Sequence, residues 1–233
     1  MHSAGLRDAV YIAVIGDIVD SRSLADRADV QLELEKTLAG LNEAYEDVIA
    51  SRFLVTLGDE FQGLLEVEAR ISDVWWWIQD RLRERIEVRF GFGLGPLATA
   101  LKPEALGMDG PCFHAARQAL DASRDSGVQI AFGVTGDAKL TQSLNSLAGL
   151  LDSTTRGWTS TQWETIAKYR DLRSQTAVAK EREVSKSTVY RALVASSGLE
   201  CLQAWAGFEL LLERLARAWS TRFEEETAET DRQ

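Results

Sequence analysis

Three carboxylates and an arginine near the start of the chain have the types and spacing that phosphate chemistry requires. The apolar run 10–15 passes directly into Gly16-Asp17-Ile18-Val19-Asp20-Ser21-Arg22, which puts Asp17 at the end of an expected buried strand. Two further apolar runs, 53–57 and 61–65, flank Gly58, Asp59 and Glu60, the pattern of a β-hairpin with a tight turn. Carboxylates at a strand end and on a neighbouring hairpin can meet across adjacent strands. Asp17, Asp59 and Glu60 are therefore candidate ligands for Mg²⁺ or Mn²⁺, hard cations that take oxygen donors and hold substrate phosphates. The backbone N–H groups between Asp17 and Arg22 can cradle a triphosphate, with the Arg22 fork on it. On this reading Gly16, Ile18, Asp20, Ser21, Arg22 and Gly58 line a nucleotide site. The plainer alternatives are turn residues at Asp59 and Glu60, a capping role for Asp17, and glycines 91, 93 and 95 that only let a helix pack closely.

A second set of residues points to DNA. The segment 175–182 reads as a short helix with Val178 and Ala179 inward, and 183–185 as a turn. A second helix, 186–195, has Val189 and Leu193 inward, and Ser185 is placed to cap it. In such a helix-turn-helix the exposed side of the second helix faces the major groove. Here that side carries Lys186, Ser187, Thr188, Tyr190 and Arg191, suited to phosphate and base-edge contacts. Protein–protein assembly is the alternative use of such a unit. Between Trp158 and Leu199 seven basic residues face four acidic ones, although the whole chain carries a net charge of −10. That total excludes a surface coated throughout by nucleic acid. A dimer is expected, because palindromic sites mirror two-fold symmetry.

Both sets need elements to position them. Apolar positions Val30, Leu34, Leu38, Leu41 and Tyr45 follow a helical period within 29–49, and Val74, Trp77, Ile78 and Leu82 do so within 67–85. Of the consecutive Trp75, Trp76 and Trp77, at least two should be core or interface, since neighbours on a helix point different ways. A strand over 88–94, a helix over 113–123 and a strand over 128–132 complete the order β-α-β-β-α-β-α-β, and a further helix is expected over 137–151. That order predicts an α+β fold, a ferredoxin-like or palm-type mostly antiparallel sheet with helices on one face, followed by an all-helical segment. The polar stretch 152–157 suggests domains over 1–152 and 153–222, with a disordered acidic tail over 223–233. The apolar residues of 200–219 should pack on a partner or on the other domain.

Cys112 and Cys201 lie too far apart in sequence to suggest a zinc or disulfide framework and read as small buried hydrophobes. His114 is given no metal role. With no long apolar run, no membrane span is expected, and the cytoplasm is the expected compartment.

The hairpin Leu57-Gly58-Asp59-Glu60-Phe61 resembles the GGDEF motif of diguanylate cyclases, with leucine for its first glycine. The strand Val88-Arg-Phe-Gly-Phe-Gly-Leu94 is similar to one in that family and in class III adenylyl cyclases. Gly110-Pro-Cys-Phe-His-Ala-Ala-Arg117 resembles the class III helix that carries an asparagine and an arginine near the transition state. The resemblance implies that Asp17 and Asp59 match the metal aspartates and Arg117 the arginine, while Phe113 stands in the asparagine's place. Taken with Ile15-Gly-Asp-Ile-Val-Asp-Ser-Arg22 and the helix-turn-helix, the chain as a whole resembles the SatD family. The implied function is regulatory: a nucleotide with a divalent metal in the first domain and double-stranded DNA on the second. The alternative is an active nucleotidyl cyclase or nucleotidyltransferase using Mg²⁺ or Mn²⁺, with the helix-turn-helix as an assembly module.

Overall fold

A computed structural model describes the backbone of residues 9–24 and 26–230. Val10–Ile18 (β1) is apolar on successive positions rather than alternate ones, and all nine residues are buried. A strand of that kind needs cover on both faces, and it lies at the centre of the sheet. The other strands are Ile49–Leu57 (β2), Glu60–Glu66 (β3), Val88–Pro96 (β4) and Ile130–Val134 (β5). Their order in the sheet is β2-β3-β1-β4-β5. All neighbours run antiparallel except β4 and β5. The parallel step follows from the crossover between them, which contains the helix Pro111–Ser126 (α3).

Even-numbered residues of β1, among them Ile12 and Val14, face a core that includes Leu34 and Leu38 of Arg27–Ala44 (α1) and Trp75 and Ile78 of Ile71–Leu82 (α2). Odd-numbered ones, Tyr11, Ala13 and Ile15, face a second cluster with Cys112, Phe113, Ala116 and Leu120 of α3. Helices therefore cover both faces of the sheet, not one. Gly91 and Gly93 make the close seat of α3 possible. A Cβ on Gly93 would lie 2.0 Å from the Cys112 carbonyl oxygen, and one on Gly91 2.2 Å from that of Ala116. These glycines serve packing, as the plainer reading held.

Beyond the sheet come Ala138–Arg156 (α4), Ser160–Leu172 (α5), Gln175–Glu181 (α6), Lys186–Ala195 (α7) and Gly198–Thr230 (α8). The boundary expected between 152 and 153 falls inside α4, whose buried Leu151, Asp152 and Thr155 carry the helix past it. One core cluster joins sheet residues such as Phe92 and Phe132 to Trp163, Val178, Leu193, Trp205 and Phe208. The apolar face expected to need cover on α8 thus packs within the chain. Its backbone remains helical through 223–230, where a disordered tail was expected. That stretch lacks Gly and Pro and is rich in the helix-former Glu, so nothing breaks the helix. Residues 231–233 of that tail lie outside the described residues. No helix among the described residues is long and apolar enough to cross a membrane.

Trp75 and Trp76 are buried in an aromatic cluster with Trp158, Trp163 and Trp205, while Trp77 is partly buried and meets Tyr45 edge-on. Each large side chain buried there contributes on the order of 2–3 kcal/mol.

Candidate functional site

The two-residue turn between β2 and β3 requires a positive φ at its first central position, and Gly58 supplies it at 64°. The hairpin then sets Glu60 opposite Asp17 of β1, while the other edge of β1 sets Arg89 of β4 opposite the same Asp17. All three sit on the face covered by α3. From that helix Arg117, Asp121 and Arg124 reach over them, spaced four and three residues apart along one stripe.

The contacts are specific. Arg89 donates Nε–H and Nη2–H to the two Asp17 oxygens at 3.0 Å each, and Arg124 Nε donates to Asp17 Oδ2 at 3.0 Å. Arg117 grips Glu60 with both Nη groups, at 2.5 and 2.6 Å, and Arg124 Nη2 lies 3.6 Å from Glu60 Oε2. Arg124 Nη1 also bonds Asp121 at 2.8 Å. The bond to Glu60 holds the Arg117 guanidinium above its ordinary pKa. Asp59 accepts a hydrogen bond from the Ser21 hydroxyl. The carboxylates lie beneath and the guanidiniums above, with 7% of the Asp17 side chain exposed against 37% for Arg124 and 39% for Arg117.

This arrangement answers the metal expectation. Among the described residues no three His, Cys, Asp or Glu side chains converge as a ligand set. Asp17 and Glu60 already accept from three guanidiniums, and the positive charge those arginines bring disfavours a dication in the same place. The trio Asp17, Asp59 and Glu60, as arranged, does not fit Mg²⁺ or Mn²⁺.

The expected phosphate cradle is also partly engaged. Ile18 is buried in the core, and its N–H donates to Asp59 O at 3.2 Å, while Val19 N–H donates to Glu87 O at 2.9 Å. Gly16 lies against the Phe61 ring on the opposite face. Asp20, at φ 51°, turns the chain into the short 3-10 helix Ser21–Ser23, where Asp20 and Arg22 are exposed. So Asp17, Glu60 and Arg117 are brought together, Ser21 joins Asp59, and Arg22 stands apart from them. Arg89 and Arg124 are the site residues the sequence reading missed. For Arg124 the signal was its spacing of seven from Arg117, two helical turns on one face.

The segment expected to contact DNA forms the two short helices α6 and α7. Val178, Val189 and Leu193 are fully buried, the Ser185 hydroxyl accepts from Thr188 N–H at 3.1 Å, and Glu183 turns the chain at φ 54°. Lys186, Ser187, Tyr190 and Arg191 are exposed and Thr188 is half-buried. Glu181 is paired with Lys168, and Arg182 is tied to Glu164 at 2.9 Å.

The SatD family matches residues 11–203. The chain belongs to the SatD family. No curated protein matches it. Among solved structures, two of a bacterial light-regulated adenylyl cyclase are similar to this SatD-family chain, at 14% and 16% identity and a TM-score of 0.41 in each case. Each alignment covers 53% of this chain, and 43% and 75% respectively of the other. The chain therefore spans less than half the length of the first.

In this family member His114 is exposed and pairs with Asp109 at 2.8 Å. Cys112 and Cys201 are free and buried, and burial pushes both thiols up to about 12.

Proposed function

We propose that this SatD-family protein is a DNA-contacting regulator whose N-terminal sheet binds the phosphate of a nucleotide. The observation that carries the reading is α7. Its inner face is locked by Val189 and Leu193, while Lys186, Ser187, Tyr190 and Arg191 form an outer face left open to solvent. Lysine and arginine there match phosphate and guanine edges, serine matches either, and tyrosine adds a polar tip on an apolar ring. The Lys168 partner of Glu181 removes one of the two acidic charges that would oppose DNA beside the turn. A dimer would present two α7 helices to the half-sites of a palindrome.

For the nucleotide, the support is the layered charge of the α3 site. Arg117 and Arg124 are partly exposed and held by Glu60, Asp17 and Asp121, and a phosphate oxygen would accept from the N–H groups these carboxylates leave over. Because the carboxylates are engaged by arginine, this reading is of binding without a divalent cation and without turnover. Repeated selection of the full-length chain on random duplex DNA tests the proposal. Enrichment of a defined sequence supports it, and a pool that stays random refutes it.

A further inference from the structure

A cleft lies away from both sites, where α1 and α2 meet α5 and α8. It has a volume of about 740 Å³, within the range of small-molecule pockets. Tyr45, Trp76, Trp77 and Trp205 supply aromatic walls, and four arginines line it: Arg70, Arg81, Arg170 and Arg173.

Charge distinguishes this cleft on a chain whose net charge is −10. Arg170 is balanced by Asp80 at 3.1 Å and Asp171 at 2.8 Å. Arg70, Arg81 and Arg173 are exposed; Arg81 and Arg173 form no ion pair among the described residues, Arg70 has the buried Glu209 carboxyl within electrostatic reach, and the lining acid Asp73 is likewise without an ion pair. The Arg81 guanidinium lies 3.3 Å over the Trp77 ring, which leaves its other face for a second planar group. Two lining residues also carry a buried donor without an acceptor, Nε1 of Trp205 and Nη1 of Arg170. Buried donors without partners are rare in native structures, and a ligand or ion is one ordinary reason for them.

We infer that this cleft is a second ligand site, which takes an organic phosphate bearing an aromatic ring, of nucleoside-monophosphate size. The phosphate is held by Arg70 and Arg173, and the ring stacks on the guanidinium and indole faces. Arg173 directly precedes Ser174, whose hydroxyl caps α6, so the occupant touches the chain at the entry to the α6–α7 unit.

The six-tryptophan neighbourhood makes intrinsic fluorescence the readout, with AMP as the probe and adenosine and ribose 5-phosphate as controls. AMP should give a saturable change, with either control weaker by about tenfold or more, since each loses one of the two recognised groups. The exposed-residue double variant Arg70→Gln/Arg173→Gln should move the AMP midpoint by about tenfold or more, while its thermal unfolding stays that of the wild type. Lys139→Gln, at an exposed position outside the cleft and both sites, should leave that midpoint unchanged. No saturable change with AMP, or a midpoint indifferent to the double variant, overturns the inference. A midpoint that moves only in Arg117→Gln would assign the signal to the α3 site and equally overturn it.

Discussion

The Asp17 carboxylate accepts from Nε and Nη2 of Arg89, across the register of two neighbouring strands, with each bond at 3.0 Å. Arg124 adds a third bond from the helix above, so one buried acid fixes a strand and a helix together. Removing that acid leaves two guanidiniums short of their partner. Asp17→Ala should therefore destabilise the fold by about 2–4 kcal/mol, the lower part of the range reflecting the partial exposure of Arg124. Urea unfolding measures this, and a change within experimental error would mean that the pairs are incidental.

Arg117 is expected to act on the phosphate directly. Arg117→Gln removes a charged fork, so ATP binding should weaken by about ten- to a hundredfold. Calorimetry in EDTA and in Mg²⁺ should give the same wild-type affinity. Binding seen only with Mg²⁺ would return Asp17 and Glu60 to the metal role that their arginines now preclude.

At Glu183 the backbone adopts a φ of 54°, a region that costs a side chain with a Cβ about 1 kcal/mol and glycine nothing. Glu183→Gly should raise thermal stability by up to about 1 kcal/mol, the gain reduced by the greater freedom of glycine in the unfolded chain. A clear loss of stability would show that the Glu183 side chain contributes more than its backbone strain costs.

Glu209 of α8 accepts from the Ser72 N–H at 2.6 Å, and burial raises its carboxyl above the usual 4.5. The folded state thus holds the proton more tightly than the unfolded one. Stability from this group is present below the unfolded value and is lost as pH rises through the higher, folded one. Glu209→Gln keeps an acceptor oxygen without the charge. The variant should be more stable than wild type at pH 7, with the difference fading as pH falls through the carboxylate range. An equal difference at both ends would contradict this account.

The order of strands and helices was legible because each element carries its own apolar period. α7 was read to the residue, since Ser185 marks its start and Val189 and Leu193 its inner face. The arginines that satisfy Asp17 were not legible. Arg89 meets Asp17 only through the β1–β4 register, a long-range pairing that no local window contains. The two-sided cover of β1 was implied by its unbroken apolar run, yet the helix order alone suggested one face. The continuation of α4 past 152 depends on Leu151 and Thr155 facing the core, which only the assembled fold reveals.

The most direct test of the central claim is the salt dependence of duplex-DNA binding by the full-length chain and by Lys186→Ala and Arg191→Ala. Wild-type affinity should fall log-linearly with salt, and each substitution of a phosphate-contacting residue should lower that slope by about one. A chain that binds no duplex at low salt, or whose affinity and slope are unchanged by both substitutions, would contradict the assignment of α7 to DNA.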